Sequence, residues 1–465
     1  MPAARPHNRR FLALALASFV AALSGCGDPI PNAPNGPRLE ERTVLRTIPQ
    51  KKGKLERLRG ELVLTTEGSP YEQGFQHGYL LRDELRTFYR EYYEGKLFAA
   101  FKPFPGFTYA WYARSLASAY TADERAEIKG LADGSGMSED QILVMQAEAP
   151  WGPPASWLGL GVPLRPVFGS AAFVARGPAT IGGATLVGAS VSGLGYGQLH
   201  RFALIRVQHP SKGYAFVQPG FVGRVMDGGM AWNERGLSLA ANDARMRWAN
   251  ASGVTAGLLT RRVAQSCATL DQAEALVRSL RPRAGQGLLL TMATREGARV
   301  LEVGQTVSDA WQGRDRIQVR PVPAAIAVTS AYHAEAFREV AGSDPDAAAR
   351  ESRLVGMLQG SFGRLDVSRA MEILSDRAVA LDAAVPGLRL GPFTLAAPAR
   401  VTTVLSAVRS LEAETLYLAQ GRETLESPAQ FEAFGLAELL SSTSSVPVPR
   451  LPGPPSATAS PALAP

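Results

Sequence analysis

The chain has 465 residues, of which 46% are apolar and 20% charged, and its formal charge is +7. That is the balance of a soluble globular protein with material for a deep core. The basic residues are scattered, with no Lys/Arg block interleaved with aromatics, which argues against nucleic acid as a partner.

The first ten residues, "MPAARPHNRR", are basic. The apolar run "FLALALASFVAA" is too short for a comfortable membrane span and has the length of a secretory signal. "LSGC", Leu23 to Cys26, then resembles the bacterial lipobox, in which the chain is cut before a Cys that receives lipid. The bland alternative is an ordinary signal peptide with a stray Cys. The expectation is a signal peptide over 1–25 and lipid on Cys26. Gly27, not Asp, follows the Cys, which favours the outer membrane, with the protein facing the periplasm. Residues 26–53 read as a tether rich in Pro, Asn and charge. Residues 443–465 read as a disordered Pro-rich tail. With Cys26 lipidated, Cys267 is alone. It forms no internal disulfide, builds no metal site, and is expected as a buried structural thiol.

One domain is expected over 54–442, with a helical part over 54–169 and a sheet-rich part over 170–442. Ser69, Pro70 and Glu72 form a capping box at the head of "GSPYEQGFQHGYLLRDELRTFYREYYEG". Leu81, Leu85, Phe88 and Tyr92 then recur at helical spacing. A second box, Thr121 to Glu124, opens a helix that Gly134 is expected to stop in a left-handed cap. A third, Ser138 to Gln141, opens "SEDQILVMQAEA". From about residue 160 short apolar runs separated by Gly predict strands: "SAAFVARG", "ATLVGASV", "RFALIRVQ", "YAFVQPG" and "GLSLAAN". Gly182 and Gly183 read as a hairpin turn. Helices are predicted over 257–280, where Thr269 caps the second, and over 347–378. Strands are predicted over 287–303 and 400–420. Strand blocks alternating with helix pairs imply sheets covered by helices.

Taken in order, "GSPYEQGFQHGYLL", "IKGLADGSGMSEDQILVMQA", "GSAAFVARGPATIGGATLVGAS", "GFVGRVMDGGMAWNERGLSLAAND", "SRLVGMLQG" and "TTVLSAVRSLEAETLYLAQG" resemble the acyl-CoA:isopenicillin N acyltransferase-like family of autoproteolytic N-terminal nucleophile (Ntn) hydrolases. The resemblance runs from about 60 to 425. It implies an α+β fold, a four-layer αββα sandwich of two antiparallel sheets flanked by helices. It also implies self-cleavage. A family Cys attacks the carbonyl before it, becomes a new N-terminus, and uses its own α-amine as base.

On that pattern the family Cys falls on Ser170, a divergent Ser in place of Cys. The expected cleavage lies between Gly169 and Ser170, and Ser170 then serves as nucleophile and α-amine base. The family's Arg-Asn-x-Asp falls on Ala189, Ser190 and Ser192, and its Asn before the following strand falls on Gly287. A later Thr-Asn-His falls near "TSAYH", with Ser330 in the Asn position. Asn233, in "WNERGL", is a candidate orienting residue, though such a turn is more often structural. Arg176 and His200 lie near Ser170 in sequence without a place in the site. His77 reads as a satisfied structural His. No metal or cofactor is expected. The leading expectation is a lipid-anchored Ntn-type amidohydrolase or acyltransferase that uses Ser170 on small N-acyl or peptide-like amides, with hydrolysis favoured over transfer. The alternative is a catalytically dead member that binds a ligand or partner.

Overall fold

The computed structural model describes residues 42–48, 53–98, 105–147, 170–194, 199–226, 229–244, 254–280, 287–304, 316–339, 341, 345–376, 379, 382–385, 388–390, 393–396, 399–420 and 427–441. The expected signal peptide over 1–25, Cys26, Gly169 and the expected tail over 443–465 lie outside them.

Three strands come first: β1 (Arg42–Thr47), β2 (Lys54–Leu58) and β3 (Glu61–Gly68). They correct two boundaries. The last part of the expected tether is a strand paired with β2, and the expected helical part opens with strands. β1 sits at the sheet edge with most of its residues exposed, so it carries no alternation of apolar and polar residues to betray it.

Helices follow: α1 (Pro70–Leu80), α2 (Arg82–Phe88), a π-helical stretch over Tyr89–Phe98, α3 (Pro105–Ala117), α4 (Ala122–Ser135) and α5 (Glu139–Met145). All three expected capping boxes form, at Ser69/Glu72, Thr121/Glu124 and Ser138/Gln141. Gly134 is not the stop. α4 runs through it and ends at Gly136, whose φ of 68° is the left-handed conformation that favours glycine. Gly134 has another task. A Cβ there would stand 2.3 Å from the Phe75 carbonyl oxygen, and one on Gly130 2.1 Å from that of Tyr71. α1 and α4 therefore cross with backbones nearly touching.

The sheet-rich part runs β4 (Ser170–Gly177), β5 (Gly183–Leu194), β6 (Ala203–Pro210), β7 (Phe216–Phe221), β8 (Met230–Asn233), β9 (Ser238–Ala244), α6 (Ala256–Ser266), α7 (Leu270–Ser279), β10 (Gly287–Ala293), β11 (Ala298–Val303), β12 (Ile317–Pro321) and β13 (Ala325–Val328). It ends with α8 (Pro345–Gly360), α9 (Val367–Ser375), β14 (Asp382–Val385), β15 (Leu388–Leu390), β16 (Phe393–Ala396), β17 (Ala399–Ser410), β18 (Thr415–Gln420), β19 (Glu432–Gly435) and α10 (Leu436–Leu440). Gly182 and Gly183 make the β4–β5 turn at φ 67° and 74°.

The architecture is the expected αββα sandwich. A ten-stranded sheet runs β1-β2-β3-β6-β7-β8-β9-β10-β11-β12, and a seven-stranded sheet runs β13-β4-β5-β17-β18-β19 with β14 beside β17. One pair departs from the antiparallel rule: β3 and β6 run parallel. Strand alternation sorts the second sheet's two faces. Ala172, Val174, Val187 and Ala189 join the core shared with the first sheet. Ala171, Phe173, Ala175 and Leu186 pack on the outer face with Leu354 and Leu358 of α8 and Ile373 of α9.

Candidate active site

The chain of β4 enters at Ser170, which is registered opposite Val191 of β5. Val191 reaches the first sheet. A Cβ on Gly229, just ahead of β8, would stand 2.7 Å from Val191 Cγ2. A second tie crosses at the same end, where Asn242 of β9 donates from Nδ2 to the Val328 carbonyl of β13 at 3.1 Å. β13 lies antiparallel beside β4 with Val328 opposite Ala172, and this register, continued, sets position 330 opposite position 170. Gly287 opens β10 opposite Ala244, two residues past Asn242. Three positions singled out in the sequence, 170, 287 and 330, thus gather at one end of the sandwich.

The polar groups of this end are few. Ser330 is buried, and its Oγ has no hydrogen-bond partner among the described residues. Asn242 is buried between the sheets and was not singled out in the sequence. Its signal was available: an Asn-Asp pair ends the otherwise small and apolar strand "LSLAAND". Ala189 is part of the inter-sheet core. Ser190 Oγ lies 3.5 Å from the Ala171 carbonyl, and Ser192 Oγ is 3.0 Å from Thr403 Oγ1. Of these three β5 positions, Ala189 therefore faces the inter-sheet core with no polar group, while Ser190 and Ser192 hold short side chains bonded within their own sheet.

The segment after β13 is tied down on two sides. Thr329 Oγ1 donates to Glu351 Oε2 of α8 at 2.9 Å, and His333 Nε2 lies 2.6 Å from Glu351 Oε1. The backbone N–H groups of His333 and Ala334 donate to Glu302 of β11. The hydrogen bond to Glu351 raises the His333 pKa above its ordinary value, against partial burial. Tyr332 donates to the Val303 carbonyl at 2.7 Å and stacks on Phe337.

The other candidates lie elsewhere. Asn233 ends β8, about 13 Å along the chain from Gly229. Its Nδ2 donates to the Ala264 and Cys267 carbonyls at 2.8 and 2.7 Å, and its Oδ1 accepts from Arg235 and Leu237 N–H at 3.1 Å each. The amide is fully engaged in fastening the turn to the end of α6. Cys267 caps that helix, buried, and burial pushes its thiol up to about 11, so it stays protonated. His77 is buried, and Nε2 accepts from Gly223 N–H at 3.0 Å. Burial pushes its pKa down to about 3, which keeps it neutral. Gln146 grips the same loop, accepting from Val225 and Met226 N–H and donating to the Gly223 carbonyl. Arg261, paired with Glu127 in the interior, donates to the Val225 carbonyl. Arg176 lies at the far end of β4 and donates to the Glu296 carbonyl. His200 sits in a short 3-10 turn ahead of β6, three strands from β9. Among the described residues no group of His, Cys, Asp and Glu could hold a metal.

The family model described as acyl-coenzyme A:6-aminopenicillanic acid acyl-transferase matches residues 199–379, less than half the chain, starting after Ser170 and including Asn242, Gly287 and Ser330. No curated protein matches the chain. Among solved structures, a mutant of the conjugated bile acid hydrolase of Clostridium perfringens is similar at 13% identity. It covers 58% of this chain and 94% of its own, with a TM-score of 0.35. The penicillin V acylase of Agrobacterium tumefaciens is similar at 10% identity, covering 54% and 82%, with a TM-score of 0.31. The Caenorhabditis elegans ortholog of N-acylethanolamine-hydrolyzing acid amidase is similar at 13% identity, covering 52% and 92%, with a TM-score of 0.32.

Proposed function

We propose that the protein is a lipid-anchored Ntn-type amidohydrolase that cleaves C–N amide bonds of small N-acyl or peptide-like substrates through Ser170. The observation that carries this reading is the meeting at one end of the sandwich of the strand start at Ser170, the buried Asn242 and the unpartnered hydroxyl of Ser330. In the maturation step, Ser170 Oγ adds to the Gly169 carbonyl carbon, the Gly169–Ser170 C–N bond breaks, and the acyl group passes from N to O. Water then hydrolyses the ester, freeing the Gly169 carboxylate and the Ser170 α-amine. That amine, with an ordinary pKa of about 8, takes the Oγ proton as Oγ attacks the substrate carbonyl. The proton then leaves with the departing amine, and water releases the acyl group. Ser330 Oγ–H and the Asn242 amide are the donors at hand for the oxyanion. No metal or cofactor enters this chemistry. Hydrolysis is preferred to transfer because acyl-CoA is an odd donor outside the cytoplasm.

The short, uncharged side chains of Ala189, Ser190 and Ser192 favour a second reading, a non-catalytic lipoprotein that keeps the fold and binds a ligand or partner. Intact mass and N-terminal sequencing of the purified protein separate the two. Processing gives a piece beginning Ser-Ala-Ala-Phe, which Ser170→Ala abolishes. A wild-type chain that stays whole, beginning at lipidated Cys26, overturns the hydrolase reading and leaves the binding protein.

A further inference from the structure

We propose that the His333–Glu351 ion pair is a clasp that sets the position of Ser330, making His333 a positioning residue for the Ser170 end of the cleft. The inference rests on the hydrolase reading for its purpose, but not for its geometry. Ser330 follows β13, an edge strand of four residues, and among the described residues its own side chain finds no hydrogen-bond partner. What holds it lies on either side. Thr329, the residue before, donates to Glu351 and to the Ala347 carbonyl of α8. His333, three residues after, meets the other oxygen of the same carboxylate at 2.6 Å. One Glu of α8 therefore closes a loop around the residue that the β13 register brings opposite Ser170.

The charged groups that act on His333 come from three packed elements. Glu351 of α8 and Glu302 of β11 favour its cationic form, and Arg320 of β12 opposes it. Arg320 is itself paired with Glu302 at 3.0 Å, which tempers that opposition. The Glu302 side of the segment is held through backbone N–H groups and does not depend on the imidazole's charge. The side-chain bond that titrates with His333 is the one to Glu351. Because the folded-state pKa of His333 is raised, its contribution is whole below the unfolded value of about 6.5 and is lost as pH rises through the folded value. The clasp thus weakens on the alkaline side, where the imidazole keeps at most a neutral Nε2–H bond to Glu351, and Ser330 is held less firmly.

Hydrogen exchange on the full chain tests this. In wild type, the protection factors of peptides covering 328–337 should fall several-fold between about pH 6 and pH 9, while those of β17 and β18 stay level. In His333→Gln, which is neutral throughout, the same peptides should show the low protection at every pH. Glu351→Gln should do likewise. A wild-type segment whose protection is flat with pH, or one that still titrates in His333→Gln, overturns the clasp. Intact mass on the same samples reports processing at Ser170 separately. An uncut chain with a titrating segment counts against the hydrolase reading alone, and a cut chain with a flat segment counts against the clasp alone.

Discussion

The two ends of the sandwich close in different ways. At the turn end, polar side chains are consumed by nearby backbone. Thr180 Oγ1 bonds the Gly177 and Ala184 carbonyls within its own hairpin, and Asn233 uses every donor and acceptor it has on one turn and one helix end. At the Ser170 end the ties run between elements far apart in the chain. Asn242 reaches Val328 in the other sheet, Thr329 and His333 reach α8, and buried Ser330 Oγ has no partner among the described residues. Two buried asparagines on successive strands show the contrast best, since one is a local fastener and the other a bridge between the two sheets. The difference separates polar groups that fasten neighbouring backbone from those that tie together elements distant in the chain.

Substitutions at three residues break or sharpen this contrast. Asn233→Ala strands two carbonyls and two N–H groups in the interior and should cost about 3 kcal/mol in urea unfolding, with no change in processing at Ser170. A cost near zero would remove the distinction between the ends. Asn242→Ala removes the bridge and should cost about 1–2 kcal/mol. Processing, read by intact mass, should slow along with it. Ser330→Ala loses no hydrogen bond and should leave stability within about 0.5 kcal/mol of wild type. On the hydrolase reading, the same change should lower the rate of processing by about a hundredfold. A large stability loss in Ser330→Ala would show that this hydroxyl belongs with the fasteners.

How much of this was legible follows from how far each signal reaches. The capping boxes, the β4–β5 hairpin and the strand over 170–177 rest on neighbours within a few residues, and all formed as read. Gly134 is ambiguous in sequence because a left-handed cap and a close helix crossing both demand glycine. The partner that decides between them, Phe75, lies in a different helix. β1 was missed because an exposed edge strand has no buried face to impose a pattern. At the site, the Asn-Glu-x-Gly turn drew attention to Asn233 by its local grammar. Asn242, whose partner stands 86 residues further on, offered only its polarity at the end of a small, apolar strand. The clustering of 170, 287 and 330 depends on strand register across two sheets, which a linear reading orders but does not bring into contact.

The first three strands bear on what a cut chain would be. β1, β2 and β3 precede Ser170, yet they belong to the ten-stranded sheet, and β3 pairs with β6 from Val63 opposite Ile205 to Gly68 opposite Pro210. His77 and Gln146, also ahead of Ser170, grip the loop at Gly223 to Met226. Scission at Gly169 would therefore turn one polypeptide into an obligate heterodimer whose subunits share a hydrogen-bonded sheet and a hydrophobic core. Neither half would bury its apolar surface alone, so the stability of the cut protein would depend on the two halves staying associated. The order of events is constrained as well: assembly must come before scission, since halves released early would have to find each other by collision.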